Sequence, residues 1–115
     1  MKVIAIAGSP RKNGNTVLLT EHTLKAIAEQ GIETELISLA GLDIRPCKAC
    51  FSCFKDEQCG TKDDLFPLYL KLKGADGIIL SAPVYASSVC GLMKCFSERV
   101  GYIARQHGRP FEGKV

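Results

Sequence analysis

The chain has 115 residues, with 15 Lys and Arg against 12 Asp and Glu and a formal net charge of +3. Its 46% hydrophobic and 23% charged residues are typical of one globular domain, so residues 1–115 are interpreted as a single unit. The scattered basic residues do not favour nucleic acid as a partner. The longest uncharged run, residues 77–93, is too short and too rich in Ser, Gly and Pro for a bilayer span. No signal peptide is indicated, so a cytoplasmic location is expected.

Strand and helix patterns alternate along the chain. Apolar and β-branched runs predict three strands, at residues 2–7, 32–39 and 77–82. Apolar residues at helical spacing predict three helices, at residues 17–28, 63–74 and 92–106. The order β-α-β-loop-α-β-α implies a parallel sheet with helices on both faces. Ligands bind beyond the carboxyl ends of such strands, so the loops after the first and third strands are the candidate sites.

The loop GSPRKNGNT, residues 8–16, joins the first predicted strand to the start of a helix. It offers hydroxyls, amides and a guanidinium, from Ser9, Arg11, Asn13, Asn15 and Thr16. Together with the positive end of a helix dipole, these donors suit a terminal phosphate. The loop is neither a Walker A sequence nor a G-x-G-x-x-G motif. A capped turn with incidental polarity is the simpler alternative.

Two segments together resemble a known family. GSPRKNGNT after the first strand and SAPVYASS at residues 81–88 are similar to the NAD(P)H-dependent FMN reductase group of flavodoxin-like flavoproteins. The resemblance covers nearly the whole chain. It implies a three-layer α/β/α sandwich with sheet order 2-1-3-4-5, and an FMN-dependent oxidoreductase with NAD(P)H as a possible electron donor.

The same resemblance implies a role for each loop. The phosphate of FMN would be held by Ser9, Arg11, Asn13, Asn15 and Thr16. The flavin ring or ribityl chain would be contacted by Pro83, Val84, Tyr85 and Ser87. The residue types themselves also suit a flavin, because a Pro-Val-Tyr loop supplies an apolar surface and free backbone groups. An exposed loop aromatic without function is the alternative for Tyr85.

Four of the six cysteines lie in an irregular segment, residues 45–62, with the spacing C-x2-C-x2-C-x5-C: Cys47, Cys50, Cys53 and Cys59. Such spacing brings thiolates to a common point, as a cubane cluster requires. The four cysteines resemble those of the archaeal-type iron–sulfur flavoproteins, a branch of the same group, and the match extends to Pro46 before them and to Gly60, Lys62, Asp63 and Asp64 after them. That resemblance implies one [4Fe-4S] cluster.

Other readings of the cysteines stay open. The four thiols could bind zinc, Cys47 and Cys50 could form a redox dithiol, or all four could remain idle thiols. A disulfide scaffold is disfavoured by the apolar core that the chain can build. Cys90 and Cys95 are predicted to pack near the start of the third helix.

The remaining polar residues indicate no general acid or base. His22 and His107 are expected to have surface or structural roles. Capping of the second helix explains Asp63 and Asp64.

Two functions of different class follow from these patterns. The first is a redox enzyme that binds FMN and passes electrons, singly or in pairs, to a small-molecule or protein partner such as a ferredoxin-like protein. Without a cluster, direct NAD(P)H oxidation is favoured. The alternative is a non-catalytic flavodoxin-like carrier or sensor module, whose cysteine segment binds a structural metal or holds idle thiols.

The three predicted strands correspond to strands 2, 1 and 3 of a five-stranded flavodoxin-like sheet. Residues 111–115 look like the lead-in to a fourth strand, and relatives run longer, so a C-terminally truncated form is expected. The third strand would then be an open edge with apolar faces, which favours a homodimer or higher homo-oligomer. FMN is expected to be loosely held or absent in this 115-residue form.

Overall fold

The computed structural model of the protein describes all of residues 1–115. Its elements in chain order are β1 (Lys2–Ala7), α1 (Asn15–Ala28), β2 (Glu33–Ser38), a short 3-10 turn (Ser52–Phe54), α2 (Leu65–Lys73), β3 (Gly77–Ser81), β4 (Val84–Tyr85), β5 (Ser88–Val89) and α3 (Gly91–Gln106). All three predicted strands and all three predicted helices are therefore present. The β4–β5 hairpin and the 3-10 turn were not predicted.

The main sheet is parallel and has the strand order β2-β1-β3. Ala7 at the end of β1 lies beside Ser38 of β2 and Ser81 of β3, so the three strands end together at one edge. This order confirms the prediction for the first three strands of a flavodoxin-like sheet. The loops that follow β1 and β3 consequently leave the sheet side by side.

Helices cover both faces of this sheet. Ile4 and Ile6 of β1 belong to one buried cluster with α2 and α3, including Tyr69 and Phe96. Because side chains alternate along a strand, Ala5 and Ala7 face the other side, where α1 packs. The Thr20 and Ser81 hydroxyls, 2.7 Å apart, join α1 to β3 on that face. The result is the three-layer α/β/α arrangement of the flavodoxin-like fold.

The last residue lies along the outer side of β3. Val115 accepts a hydrogen bond from the Ile78 amide at 2.8 Å and donates one to the Asp76 carbonyl at 3.3 Å. This pair of bonds has the slanted pattern of a parallel strand. That residues 111–115 lead into a fourth strand stays a prediction.

No helix of the structure is both long enough and apolar enough to cross a membrane.

Candidate functional site

The phosphate loop, residues 8–16, starts from a tightly packed glycine. The Gly8 amide donates to the Ser81 carbonyl at 2.7 Å, and the Cys90 thiol donates to the Gly8 carbonyl at 2.9 Å. A Cβ on Gly8 would lie 2.7 Å from the methyl carbon of Met93 and 2.8 Å from its Cβ. Gly8 therefore permits β1, β3 and the first turn of α3 to meet at this point.

The polar residues of the phosphate loop are mostly at the surface. Ser9 is buried, and its hydroxyl accepts the Arg11 amide at 3.1 Å, which shapes the turn. Arg11, Asn13 and Asn15 are exposed, and Thr16 is half-buried at the start of α1. The structure therefore brings the five predicted residues into one loop above the ends of the strands. Their contacts with a ligand stay a prediction.

The start of α1 has no cap of its own. Gly14 occupies the N-cap position, no side chain accepts the free amides there, and the first turn contains no acidic residue. Helix starts usually carry Ser, Thr, Asp or Asn at this position. The unshared amides and the positive end of the dipole are consequently available to an anion.

The segment after β3 forms a two-residue hairpin that the sequence did not reveal. Val84–Tyr85 pairs with Ser88–Val89 in antiparallel fashion. Ala86 and Ser87 connect them with φ values of 48° and 65°, so both are left-handed, as a type I′ turn requires. Val84 is 76% exposed and Tyr85 47% exposed. The hairpin therefore presents an apolar surface beside the phosphate loop.

The four clustered cysteines line one small cavity of about 20 Å³, together with Arg99, Tyr102 and Ile103 of α3. All six cysteines of the chain are free. Cys53 and Cys59 are half-buried, whereas Cys47 and Cys50 are exposed at the rim. No three Cys, His, Asp or Glu side chains stand close enough together to hold a single metal ion. The predicted ligands thus share one cavity without converging on one point.

The backbone of the cysteine segment turns sharply to place these thiols. Ala49 and Phe51 adopt φ values of 54° and 56°, which residues other than glycine rarely adopt. A Cβ on Gly60 would lie 2.5 Å from the Ser52 hydroxyl and 2.8 Å from the Cys50 sulfur. A side chain at position 60 would therefore displace the Ser52 hydroxyl and the Cys50 thiol.

Neighbouring groups shift the pKa values of two of the thiols in opposite directions. The hydrogen bond from the Ser52 hydroxyl, 3.3 Å from the Cys50 sulfur, lowers the pKa of Cys50. Burial, with a contribution from the other three clustered thiols, raises the pKa of Cys53. The other three clustered thiols are therefore close enough to Cys53 to act on it.

Arg99 of α3 is buried beneath the cysteine segment and was missed as a functional residue. Its guanidinium forms a two-pronged ion pair with Asp63, with N···O distances of 2.5 and 2.9 Å. It also donates to the Arg45 carbonyl at 2.8 Å, to the Thr61 carbonyl at 3.4 Å and to the Cys59 sulfur at 3.2 Å. One side chain thus joins both ends of the segment to α3.

The predictions for the other polar residues have mixed outcomes. Asp63 accepts the Leu65 amide at the start of α2, but its main partner is Arg99. Asp64 occupies the N-cap position without capping the helix, because its carboxylate accepts the Asp43 amide instead, so the capping prediction is wrong for Asp64. Burial opposes the charged form of Asp63, yet the hydrogen bonds from Arg99 and two backbone amides hold its pKa below the ordinary value. A ring nitrogen of His107 lies 2.7 Å from the Cys53 carbonyl, which is a structural role. Cys90 is buried at the start of α3, as predicted.

Similarity to known proteins settles the family. The model of the NADPH-dependent FMN reductase family matches residues 1–115, the whole chain. This chain belongs to the NADPH-dependent FMN reductase family. Membership confirms the family resemblance found in the sequence.

Several members and neighbours of this family are similar to the chain. An iron-sulfur flavoprotein of Methanocaldococcus jannaschii is 50% identical over 86% of this chain and 51% of its own length. One from Archaeoglobus fulgidus is 37% identical over 98% of this chain and 57% of its own. The crystal structure of an NADH:FMN oxidoreductase in its apo form is 26% identical, with a TM-score of 0.62 over 84% of this chain and 48% of that one. The chain therefore spans about half the length of the curated relatives it matches.

Proposed function

We propose that the chain supplies the FMN-binding and cluster-binding part of an oxidoreductase that transfers electrons between a pyridine nucleotide and a redox partner. One observation carries the proposal, namely that α3 connects both candidate sites. Met93 in its first turn packs against the phosphate loop at Gly8, and Arg99 holds the cysteine segment. The two residues are six positions apart, which is about 9 Å along a helix.

The phosphate of FMN would bind at the start of α1. The uncapped amides of α1 and the Ser9, Asn13, Asn15 and Thr16 side chains offer hydrogen bonds, and Arg11 offers a positive charge. This arrangement is consistent with a phosphate because nothing in the first turn of α1 competes for the amides.

The flavin ring would lie against the β4–β5 hairpin. Pro83, Val84 and Tyr85 would contact the ring, and Ser87 at the hairpin turn would contact the ring or the ribityl chain. The exposure of Val84 and Tyr85 supports this position, since a flat aromatic ligand would remove their apolar surface from water.

The donor set of the cysteine segment fits an iron–sulfur cluster better than a zinc ion. Zinc draws four sulfurs to about 2.3 Å from a single centre. In a [4Fe-4S] cluster each cysteine binds its own iron, so the sulfurs stand further apart. The four thiols line one cavity, which matches the all-cysteine ligand set of such a cluster.

When bound, FMN accepts electrons in pairs or singly and the cluster transfers them singly, so together they would convert between the two modes. The contribution of the protein is to hold the flavin phosphate, to shield one side of the ring and to keep the thiols together. In this proposal NAD(P)H donates the electrons, and a small molecule or a ferredoxin-like protein accepts them.

Anaerobic absorbance spectra, together with iron and flavin analysis, test the proposed function. After reconstitution with iron, sulfide and FMN, the protein should show flavin bands near about 370 and 450 nm and a broad shoulder around 400 nm. Stoichiometric zinc in a colourless protein would instead favour a carrier or sensor module with a structural metal. A flavin spectrum without iron would retain the oxidoreductase and remove the cluster.

A further inference from the structure

Arg99 is an unusual residue to find inside this core. Its side chain is 1% exposed and that of Asp63 is fully buried, so both charges have been removed from water. Desolvating such a pair costs several kcal/mol, and the pair is therefore a weak source of stability by itself. The position of the guanidinium calls for another explanation.

The contacts of the guanidinium suggest why Arg99 is buried at this position. It donates to carbonyls on both sides of the cysteines, those of Arg45 and Thr61, and so fixes the two ends of the segment. One of its amino groups also lies 3.2 Å from the Cys59 sulfur. Its Nε–H is buried and has no partner. Arg99 is thus a desolvated cation with one unpaired N–H, and it lines the same cavity as the four thiols.

We infer that Arg99 is a positioning residue for the iron–sulfur cluster, and that its N–H donation to Cys59 raises the reduction potential of that cluster. The inference rests on the proposed function. A cluster with four thiolate ligands is anionic and gains one more negative charge when it accepts an electron. A buried donor at a ligand sulfur stabilises the more negative state, because hydrogen bonds to the sulfurs set the potential.

Asp63 allows the inference to be distinguished from a purely structural role, because the inference predicts the direction in which the reduction potential shifts. It neutralises Arg99 through the ion pair, so it limits the effect of the cation on the cluster. Removing the charge of Arg99 leaves a carboxylate near the cluster and disfavours reduction. Removing the charge of Asp63 leaves an uncompensated cation and favours reduction. The two changes should therefore shift the potential in opposite directions.

The test is a spectroscopic redox titration of the reconstituted protein, with dithionite as the source of the single electron. Arg99→Gln should lower the one-electron equilibrium constant about tenfold, which is 59 mV, and Asp63→Asn should raise it by a similar factor. Arg105→Gln, an exposed arginine on the same helix, should leave it unchanged. Circular dichroism establishes that each variant is folded.

If Arg99→Gln does not fold, the double variant Arg99→Gln, Asp63→Asn removes both buried charges, and its potential should lie below that of the wild type. Unchanged potentials, or shifts of Arg99→Gln and Asp63→Asn in the same direction, would overturn the inference while leaving the proposed function intact. A wild-type protein that binds FMN but no iron would overturn the inference and the cluster-binding part of the proposed function, and would leave the flavin-binding part intact.

Discussion

Arg11 has a free guanidinium in a loop whose backbone is already shaped by Ser9. Its amide is held by the Ser9 hydroxyl, so removing the side chain leaves the turn in place. Arg11→Ala should weaken FMN binding by about 1.5–3 kcal/mol, the value of a hydrogen bond to a charged group. Titration of the apoprotein with FMN measures the loss.

Lys25→Ala is the matched control for Arg11→Ala. It removes the same charge from the last turn of α1, about 15 Å along the helix from its start. FMN affinity should be unchanged in that variant. Equal affinities in the two variants would show that the uncapped amides and neutral side chains suffice for the phosphate.

Gly60 tests the geometry of the cysteine segment. In Gly60→Ala the new methyl group would meet the Ser52 hydroxyl and the Cys50 sulfur at well under contact distance. Iron bound per chain after reconstitution should fall sharply, because the segment can no longer close on Cys50. FMN binding should be retained.

Gly101→Ala provides the control, since a Cβ there meets nothing within 4 Å on the exposed side of α3. It should bind iron normally and gain up to about 1 kcal/mol of stability from its helix propensity. Normal iron binding by Gly60→Ala would contradict the structure of the segment.

At the residue level, the sequence revealed the surface groups of the site better than the buried ones. The phosphate-loop residues and the four cysteines stand in recognisable motifs, and the structure places each set together. Arg99 was missed because a lone arginine in a helix is usually solvated. A signal was present, however: Arg99 lies three residues after Phe96 and four before Ile103, on the apolar face of α3.

The β4–β5 hairpin is the element with the clearest test. Ser87 has φ at 65°, whereas a proline ring fixes φ near −65°. Ser87→Pro should therefore open the hairpin and weaken FMN binding, while the melting temperature changes little because the hairpin is exposed. Ser87→Gly also removes the hydroxyl but keeps the left-handed backbone. Retained affinity in Ser87→Gly and loss in Ser87→Pro would assign the effect to the hairpin; equal affinities in both would reject it.

Periodicity was sufficient for the six main elements and insufficient for this hairpin. The strands and helices are long enough to show their apolar patterns, and the structure has them within a few residues of the predicted bounds. The hairpin has two residues per strand and an Ala-Ser turn. Such turns normally carry Asn-Gly or a similar pair, so its sequence gives no turn signal.

At the scale of the molecule, the outer side of β3 is the exposed part of the sheet. Val115 covers only its beginning, and Leu80 remains 54% exposed. Apolar cavities of about 320 and 330 Å³ flank the strand on its two faces. Exposed strand edges with apolar faces pair with other chains.

The 115-residue chain should therefore self-associate through β3. Light scattering should give a mass above 12.5 kDa, and Leu80→Lys should shift it toward the monomer. Leu19→Lys, a 68% exposed leucine on α1, should leave the mass unchanged. A monomeric wild-type chain at high concentration would contradict this expectation.

The central claim is that one chain holds two cofactors at two separate loops. It is tested most directly by FMN and iron per chain in Arg11→Ala and Cys50→Ser after equilibrium dialysis against a limiting FMN concentration. Arg11→Ala should lose FMN and keep the iron of one cluster, and Cys50→Ser should lose iron and keep FMN. Loss of both cofactors in Cys50→Ser would show that the cysteine segment also builds the flavin site and would contradict the claim.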